Sequence, residues 1–189
     1  MQIGKVPENV LKRSVFKQIK IKRDEVLIHP GVGEDCSVLE LAPGEVFVLS
    51  TDPITGAASD IGTLAVHVTA NDLASAGAEP VGILLSILLP QDAQEADLKS
   101  LMREIESACE LLNIEVIGGH TEVTPAVNQP VVTVTGVGKV RKDAVIFTRG
   151  ARPGQDIVVT KWIGLEGTSI IASAKEAELR AHYSQDFVD

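Results

Sequence analysis

Apolar residues recur along the chain with two different spacings, and the spacing separates helices from strands. Repeats of three to four residues predict long helices at 7–20, 60–77 and about 93–112. Asp60 and Gly77 are residue types that begin and end such a helix. Runs rich in β-branched residues predict the strands, at 24–41 (in pieces), 45–51, 81–89, 114–117 and 130–140. Pro53 should stop the strand at 45–51, because proline lacks the N–H that a ladder uses.

The alternation of strands and helices predicts an α/β (α+β) fold with helices on one face of the sheet. The segment 150–154 is the best candidate for a boundary, which divides the chain into domains 1–150 and 151–189. The second part carries one predicted strand, at 156–160, and one predicted helix, at about 167–181. We interpret this second part as the beginning of a further domain.

The composition narrows the possible partners. The 189 residues carry a formal net charge of −9 and no basic cluster, which argues against a nucleic-acid partner. The longest apolar run, 81–89, is too short to cross a bilayer, so no membrane association is expected. Cys36 and Cys109 show neither metal-ligand spacing nor a redox pair, and the default expectation is a reducing, cytoplasmic location.

Several acids stand at the predicted ends of strands or inside apolar stretches. Asp35 follows a Gly-X-Gly turn, Asp52 follows a strand, and Asp72 lies beside Asn71 in an apolar helix. Glu122 follows the glycine pair 118–119. Because Mg²⁺ is held by a few carboxylates together with phosphate oxygens, these acids together indicate a metal–phosphate site.

Each of these residues also has an ordinary interpretation. Asp52 before proline can be a turn residue, and Asp72 can bridge to a neighbouring helix. The glycine pair 118–119 can be a tight turn, and Glu122 and His120 can be exposed surface residues. The Gly-X-Gly turn is too short a signal for a dinucleotide fingerprint, because no helix follows it.

Five segments resemble motifs of the aminoimidazole ribonucleotide (AIR) synthetase superfamily, in the same order and at similar spacing. They cover nearly the whole chain, at 33–38 (GEDCSV), 50–52 (STD), 60–80, 118–125 (GGHTEVTP) and 161–168. The opening residues 4–7 (GKVP) and the Asn-Asp-Leu-Ala context are most similar to the branch of the hydrogenase maturation protein HypE.

The resemblance implies a mostly antiparallel sheet that pairs with that of a second copy, through the sheet edge, into a β-barrel. It implies that ATP lies at this homodimer interface and that its γ-phosphate goes to a carbonyl, carboxamide or phosphate oxygen. The metal ligands for Mg²⁺ would be Asp35, Asp52, Asp72, Glu122 and His120. The nucleotide would contact Asn71, Gly118, Gly119 and Thr121, and the catalytic residues would be Asp52, Asp72 and Lys5.

Three positions depart from the family pattern. His120 stands where most relatives carry an acid, so Glu122 supplies the missing charge or the site holds fewer metals. Glu34 and Cys36 replace the more usual Asp and Ala. No cysteine precedes Cys36, which argues against selenophosphate synthesis.

We therefore expect the whole protein to be an ATP-dependent enzyme of the ligase, kinase or dehydratase kind, with a small-molecule or carboxamide substrate. This chain alone is expected to bind nucleotide without completing the reaction. The alternative is a non-catalytic, nucleotide-sensing or scaffold dimer that keeps the fold. Asp35, Asp52 and Asp72 argue against that alternative, and His120 argues for it.

Overall fold

The computed structural model describes residues 2–33, 36–55 and 60–188, so Asp35 and Glu34 lie outside the described residues. The chain forms two compact units, the first ending at Thr148 and the second beginning at Arg149. The first unit contains the sheet and all the described residues of the predicted site. The assignment of 1–150 and 151–189 as evolutionary domains stays a prediction.

A five-stranded sheet organises the first unit. Its strands are β1 (Gly4–Lys5), β4 (Glu45–Ile54), β5 (Glu79–Leu89), β6 (Glu115–Val123) and β7 (Val131–Arg141). They lie in the order β1-β6-β5-β7-β4. Only the β5–β6 pair is parallel, and the other three pairs are antiparallel. Two short strands, β2 (Val26–Ile28) and β3 (Val38–Leu39), form a separate antiparallel pair. A mixed α/β fold with a mostly antiparallel sheet is thus confirmed.

Helices cover one face of this sheet. They are α1 (Glu8–Leu11), continued by a π-helical segment (Lys12–Phe16), α2 (Ile61–Ser75) and α3 (Glu95–Leu112). The alternate residues Ile83, Leu85 and Ile87 of β5 point into the same core as Met102 and Ile105 of α3. Burial of such side chains away from water contributes about 1.5–3 kcal/mol each, which holds the helices on the sheet. The described helices include none that is long and apolar enough to cross a membrane.

The opposite face of the sheet is largely open. Phe47 and Leu49 of β4 and Leu84 of β5 are exposed by 46%, 65% and 36%. One end of this open face is covered by the β2–β3 pair, where Val26 packs with Ile117 and Val137. An exposed apolar surface on a sheet is typical of an interaction site.

The structure corrects several expected element boundaries. β4 continues through Pro53 to Ile54, and Pro53 lies opposite Thr133. Proline is tolerated there because β4 is an edge strand of the sheet. Asp60 does not cap α2 with its side chain; instead, the Glu104 carboxylate accepts the Gly62 N–H at 3.2 Å.

In the second unit, the predicted strand at 156–160 is wrong, since the described residues form no strand there. Ile157 and Val158 are 93% and 84% exposed, and no described strand of this unit offers them a ladder partner. The helix predicted at about 167–181 is instead divided into two, Leu165–Ala174 (α4) and Glu176–His182 (α5), and a further short helix follows at Gln185–Val188 (α6).

The glycine pair 118–119 lies inside β6, so the interpretation as a tight turn is wrong. The β5–β6 register shifts between Ile83 and Leu84, which marks an irregularity in the ladder. Gly119 has φ +148°, and a Cβ there would lie 2.0 Å from the carbonyl oxygen of Leu85. Only glycine allows the two strands to approach this closely.

We expect Gly119→Ala to lower the free energy of unfolding by about 2 to 4 kcal/mol, because strand β6 must move away from β5. The matched control is Gly44→Ala, since Gly44 also has positive φ (+89°) but has no atom within 4 Å of the added Cβ. That control should lose only about 1 kcal/mol of backbone strain. Denaturant titration of both variants measures the difference, and equal losses would contradict the steric explanation.

Candidate functional site

Asp52 of β4 and Asp72 of α2 lie together between the edge strand and the helix that packs on it. The Ser50 hydroxyl donates to Asp72 Oδ2 at 2.6 Å and lies 3.5 Å from Asp52 Oδ2. Strand geometry places Ser50 and Asp52, two residues apart, on the same face of β4. The Ser50 hydroxyl therefore lies within hydrogen-bond distance of both carboxylates.

The two carboxyl groups perturb each other. The pKa of Asp52 is raised, first by its hydrogen bond to Asp72, then by partial burial and by the Asp72 charge, while Ser50 opposes the shift. Two ionised carboxylates in contact repel, so the pair favours sharing a proton or taking up a cation. Oxygen ligands of this kind suit a hard divalent cation such as Mg²⁺, so the residues fit the predicted metal.

Asn71 precedes Asp72 on α2, and both side chains are exposed. The pair is therefore at the surface, although the helix around it is apolar in sequence. The sequence around the pair is apolar because the neighbouring Ala70 and Leu73 face the core from the other side of the helix. Because Asp72 is exposed, burial gives no reason to expect a bound cation. The reason to expect one is the contact between Asp52 and Asp72.

A second group of predicted residues lies on the open face of the sheet. His120 Nε2 is 3.1 Å from Glu122 Oε2, and Lys5 of β1 lies directly opposite Glu122 in the antiparallel ladder. Thr121 points to the other face and is buried, while its carbonyl accepts the Val6 N–H at 3.1 Å.

The two groups are far apart within one chain. β6 and β4 are separated by β5 and β7, which is three strand spacings or about 14 Å. They also lie on opposite faces of the sheet, because Asp52 faces α2 and His120 faces the open side. In the described part of the chain, no cluster of three or more His, Cys, Asp or Glu side chains forms a metal site. The five-residue ligand set stays a prediction, and the structure brings together two pairs from it.

A cleft of about 580 Å³ opens beside the outer edge of β6. Among its lining residues are Lys5, Gly118, Gly119, His120 and Thr121. β1 pairs only with Glu122 and Val123, so the edge of β6 at the glycine pair faces the cleft without a described strand partner. The peptide groups of Gly118 and Gly119 are therefore available to a ligand.

Two polar residues near these groups were not predicted as functional. Ser50 links the two aspartates, and the two-residue spacing to Asp52 was the signal that identifies it. Glu115 is fully buried and accepts hydrogen bonds from the Arg23 backbone at 2.6 Å and from His29 Nδ1 at 2.5 Å. An acid between apolar residues in the strand Ile114-Glu115-Val116-Ile117 was the available signal.

Comparison with known proteins shows several likenesses. Residues 33–140, more than half of the chain, match the family "AIR synthase related protein, N-terminal domain". The chain is 30% identical to carbamoyl dehydratase HypE of Cupriavidus necator, over 82% of this chain and 46% of that protein. The chain spans about half the length of the curated relatives it matches.

Solved structures show the same fold. The hydrogenase maturation protein HypE in complex with ATP superposes with a TM-score of 0.65 and 25% identity, over 77% of this chain and 43% of that one. Thiamine-monophosphate kinase from Stenotrophomonas maltophilia gives a TM-score of 0.59 and 25% identity, over 77% and 46%. The resemblance inferred from the motifs is confirmed, and its HypE-like branch is supported.

We expect Asp52→Asn to raise thermal stability at neutral pH in the presence of a chelator, because it removes one of two like charges. A raised pKa in the folded state means that folding loses stability as the pH rises through that pKa. The gain should therefore fade as the pH falls through the raised pKa of Asp52 and be gone by about 4, the usual pKa of an aspartate. Thermal melts across this range measure the effect.

Asp143→Asn is the control, because the pKa of Asp143 is shifted in the opposite direction to that of Asp52. The Arg141 guanidinium lowers the pKa of Asp143, so that carboxylate stabilises the fold above its normal pKa and stops doing so on acidification. Its substitution should not stabilise the protein at neutral pH. A destabilised Asp52→Asn would contradict the repulsion between Asp52 and Asp72.

Proposed function

Because the chain belongs to the AIR synthase related family, we propose that it is the nucleotide-binding part of an enzyme that uses Mg·ATP. The reaction is transfer of the γ-phosphate to a carbonyl, carboxamide or phosphate oxygen. The observation that carries this proposal is the contact between Asp52 and Asp72 beside Ser50. The likeness to carbamoyl dehydratase HypE and to a HypE structure containing ATP supports it.

Phosphoryl transfer depends mainly on positioning and on neutralising charge, so a protein needs metal-holding acids more than a nucleophile. Asp52 and Asp72 would hold Mg²⁺, which would neutralise charge on the phosphates. Asn71 would orient a phosphate from the exposed side of α2. The peptide groups of Gly118 and Gly119 would contact the nucleotide in the cleft, next to Thr121.

The separation of the two groups of predicted residues has a consequence for the assembly. Within one chain, His120 and Glu122 on β6 lie about 14 Å from Asp52 on β4, and Lys5 on β1 lies one strand further, at about 19 Å. Both distances are too long for these residues to share one metal ion with Asp52. We propose that two copies pair their open sheet faces and edges into a barrel. Each nucleotide would then contact the Asp52–Asp72 pair of one chain and the Lys5 group of the other.

For the acceptor substrate, we propose only a chemical class. A small-molecule or carboxamide substrate fits the HypE-like branch, and its binding would involve the remaining half of a full-length relative. The cellular setting we propose is the cytoplasm, where ATP and Mg²⁺ are available.

We expect a non-hydrolysable ATP analogue to bind the wild-type chain in a magnesium-dependent way. Asp52→Asn should weaken this binding by about tenfold or more, because one charged ligand of the metal is lost. Isothermal titration calorimetry with and without Mg²⁺ measures it. Asp143→Asn, which removes an exposed carboxylate outside the site, should leave the affinity unchanged.

Magnesium-independent binding that survives Asp52→Asn would favour the nucleotide-sensing or scaffold alternative. Absence of binding to the wild type at millimolar analogue would overturn the assignment of this chain as a nucleotide-binding unit.

We expect the chain to be a dimer and Leu49→Glu to shift it towards monomer, since Leu49 is 65% exposed on the open face. A charge at the centre of an apolar interface is costly to bury without a partner. Leu111→Glu is the control, because Leu111 is 76% exposed but lies at the end of α3. Sedimentation velocity measures the change; a monomeric wild type, or an equal effect of both variants, would count against the barrel.

A further inference from the structure

Two buried glutamates hold the segment 20–29 against the core. Glu106 of α3 accepts the backbone N–H groups of Lys20 at 2.7 Å and Ile21 at 3.2 Å. Glu115 of β6 accepts the backbone N–H of Arg23 at 2.6 Å. The two carboxylates thus act on adjacent parts of the same segment.

Glu115 has an additional contact that Glu106 lacks. His29 Nδ1 lies 2.5 Å from Glu115 Oε1, and Lys22 Nζ lies 3.5 Å from the same oxygen. A hydrogen bond from this ring nitrogen to the carboxylate requires the His29 proton on Nδ1. The Glu115 side chain is fully buried, whereas His29 is 39% exposed. The His29 imidazole therefore links the buried Glu115 carboxylate to the protein surface.

The chain returns to β6 a few residues later. The Ser37 hydroxyl donates to the backbone carbonyl of Ile117. A Cβ on Gly118 would lie 3.1 Å from the Ser37 hydroxyl, so glycine at that position admits the close approach. Glu115 and Ile117 are two residues apart and lie on the same side of the strand. The described residues 30–33 and Cys36, here called the turn, thus lie between two contacts with β6: the His29–Glu115 contact and the Ser37–Ile117 hydrogen bond.

The described residues between these anchors form one wall of the cleft. Residues 30–33 and Cys36 line it, and Gly118 and Gly119 line it from the strand. The width of the cleft at the glycine pair is therefore determined by where the turn is held.

We propose that Glu115 is a positioning residue: through His29 it fixes one end of the turn, with Ser37 fixing the other, and so sets the cleft for the nucleotide. This inference rests on the proposed function for its ligand, and on the observed contacts for the anchoring itself. Glu106 provides the contrast, because it holds the same segment and does not contact the turn.

The first measurement is the mobility of a nitroxide spin label on Cys36, read from the width of its electron paramagnetic resonance spectrum. Cys36 is exposed, whereas Cys109 is fully buried and burial raises its pKa to about 12, so only Cys36 should react. His29→Ala should narrow the spectrum. His29→Asn, whose amide N–H can donate to Glu115 from a similar position, should restore the wild-type width, and Glu106→Gln should leave it unchanged.

The second measurement is binding of a non-hydrolysable Mg·ATP analogue to the unlabelled proteins. A hydrogen bond to a charged group corresponds to about a tenfold factor in an equilibrium constant, so His29→Ala should weaken binding by about tenfold. His29→Asn and Glu106→Gln should bind as the wild type does.

The outcomes separate the two proposals. An unchanged spectrum for His29→Ala overturns the anchor, whatever the nucleotide does. A narrowed spectrum with unchanged affinity overturns the role of the turn in nucleotide binding. If the wild type itself does not bind the analogue, the proposed function fails, and the spectra still decide whether Glu115 holds the turn. Equal effects of Glu106→Gln and His29→Ala on both readouts would reduce Glu115 to a structural residue.

Discussion

A five-stranded sheet has two faces, and the helices of this chain cover only one of them. α2 and α3 bury one set of alternate residues, and the other set remains largely open except where β2 and β3 cover one end. Apolar side chains such as Phe47 and Leu49 are left exposed. The hydrophobic effect therefore favours a second layer on the open face. The barrel that we propose supplies that layer with a second copy of the same sheet.

The alternation of side chains between the two faces of the sheet also determines where the polar residues lie. Alternation along a strand puts Ser50 and Asp52 towards α2, where they meet Asp72. On β6 it puts His120 and Glu122 on the open face and buries Thr121. Motif order along the chain says nothing about which face each residue takes, so the motifs suggested one ligand set. The folded chain contains two pairs on opposite sides, and the barrel that we propose would bring the second pair in from another copy.

Much of the fold was predictable from spacing, because α3 and β5 have long and regular apolar patterns. The errors came from tertiary context that no local pattern contains. Pro53 remains in a strand because that strand is at the edge, and Gly62 at the start of α2 donates to the distant Glu104. The exposure of Asp72 depends on how α2 is rotated against the sheet. The contact between Glu115 and His29 joins residues far apart in sequence, so only their residue types were visible beforehand.

The hydrogen-bond partners of the carboxylates distinguish structural acids from functional ones. Glu115 is fully buried, and it receives a backbone N–H, an imidazole and an ammonium group, as an anion removed from water requires. Asp52 and Asp72 share a single hydroxyl and face each other as like charges, although nearby solvent would let them separate. A fold that satisfies one acid so completely has no structural need to leave this pair in contact. A divalent cation, itself bound to phosphate, would supply positive charge between the two carboxylates.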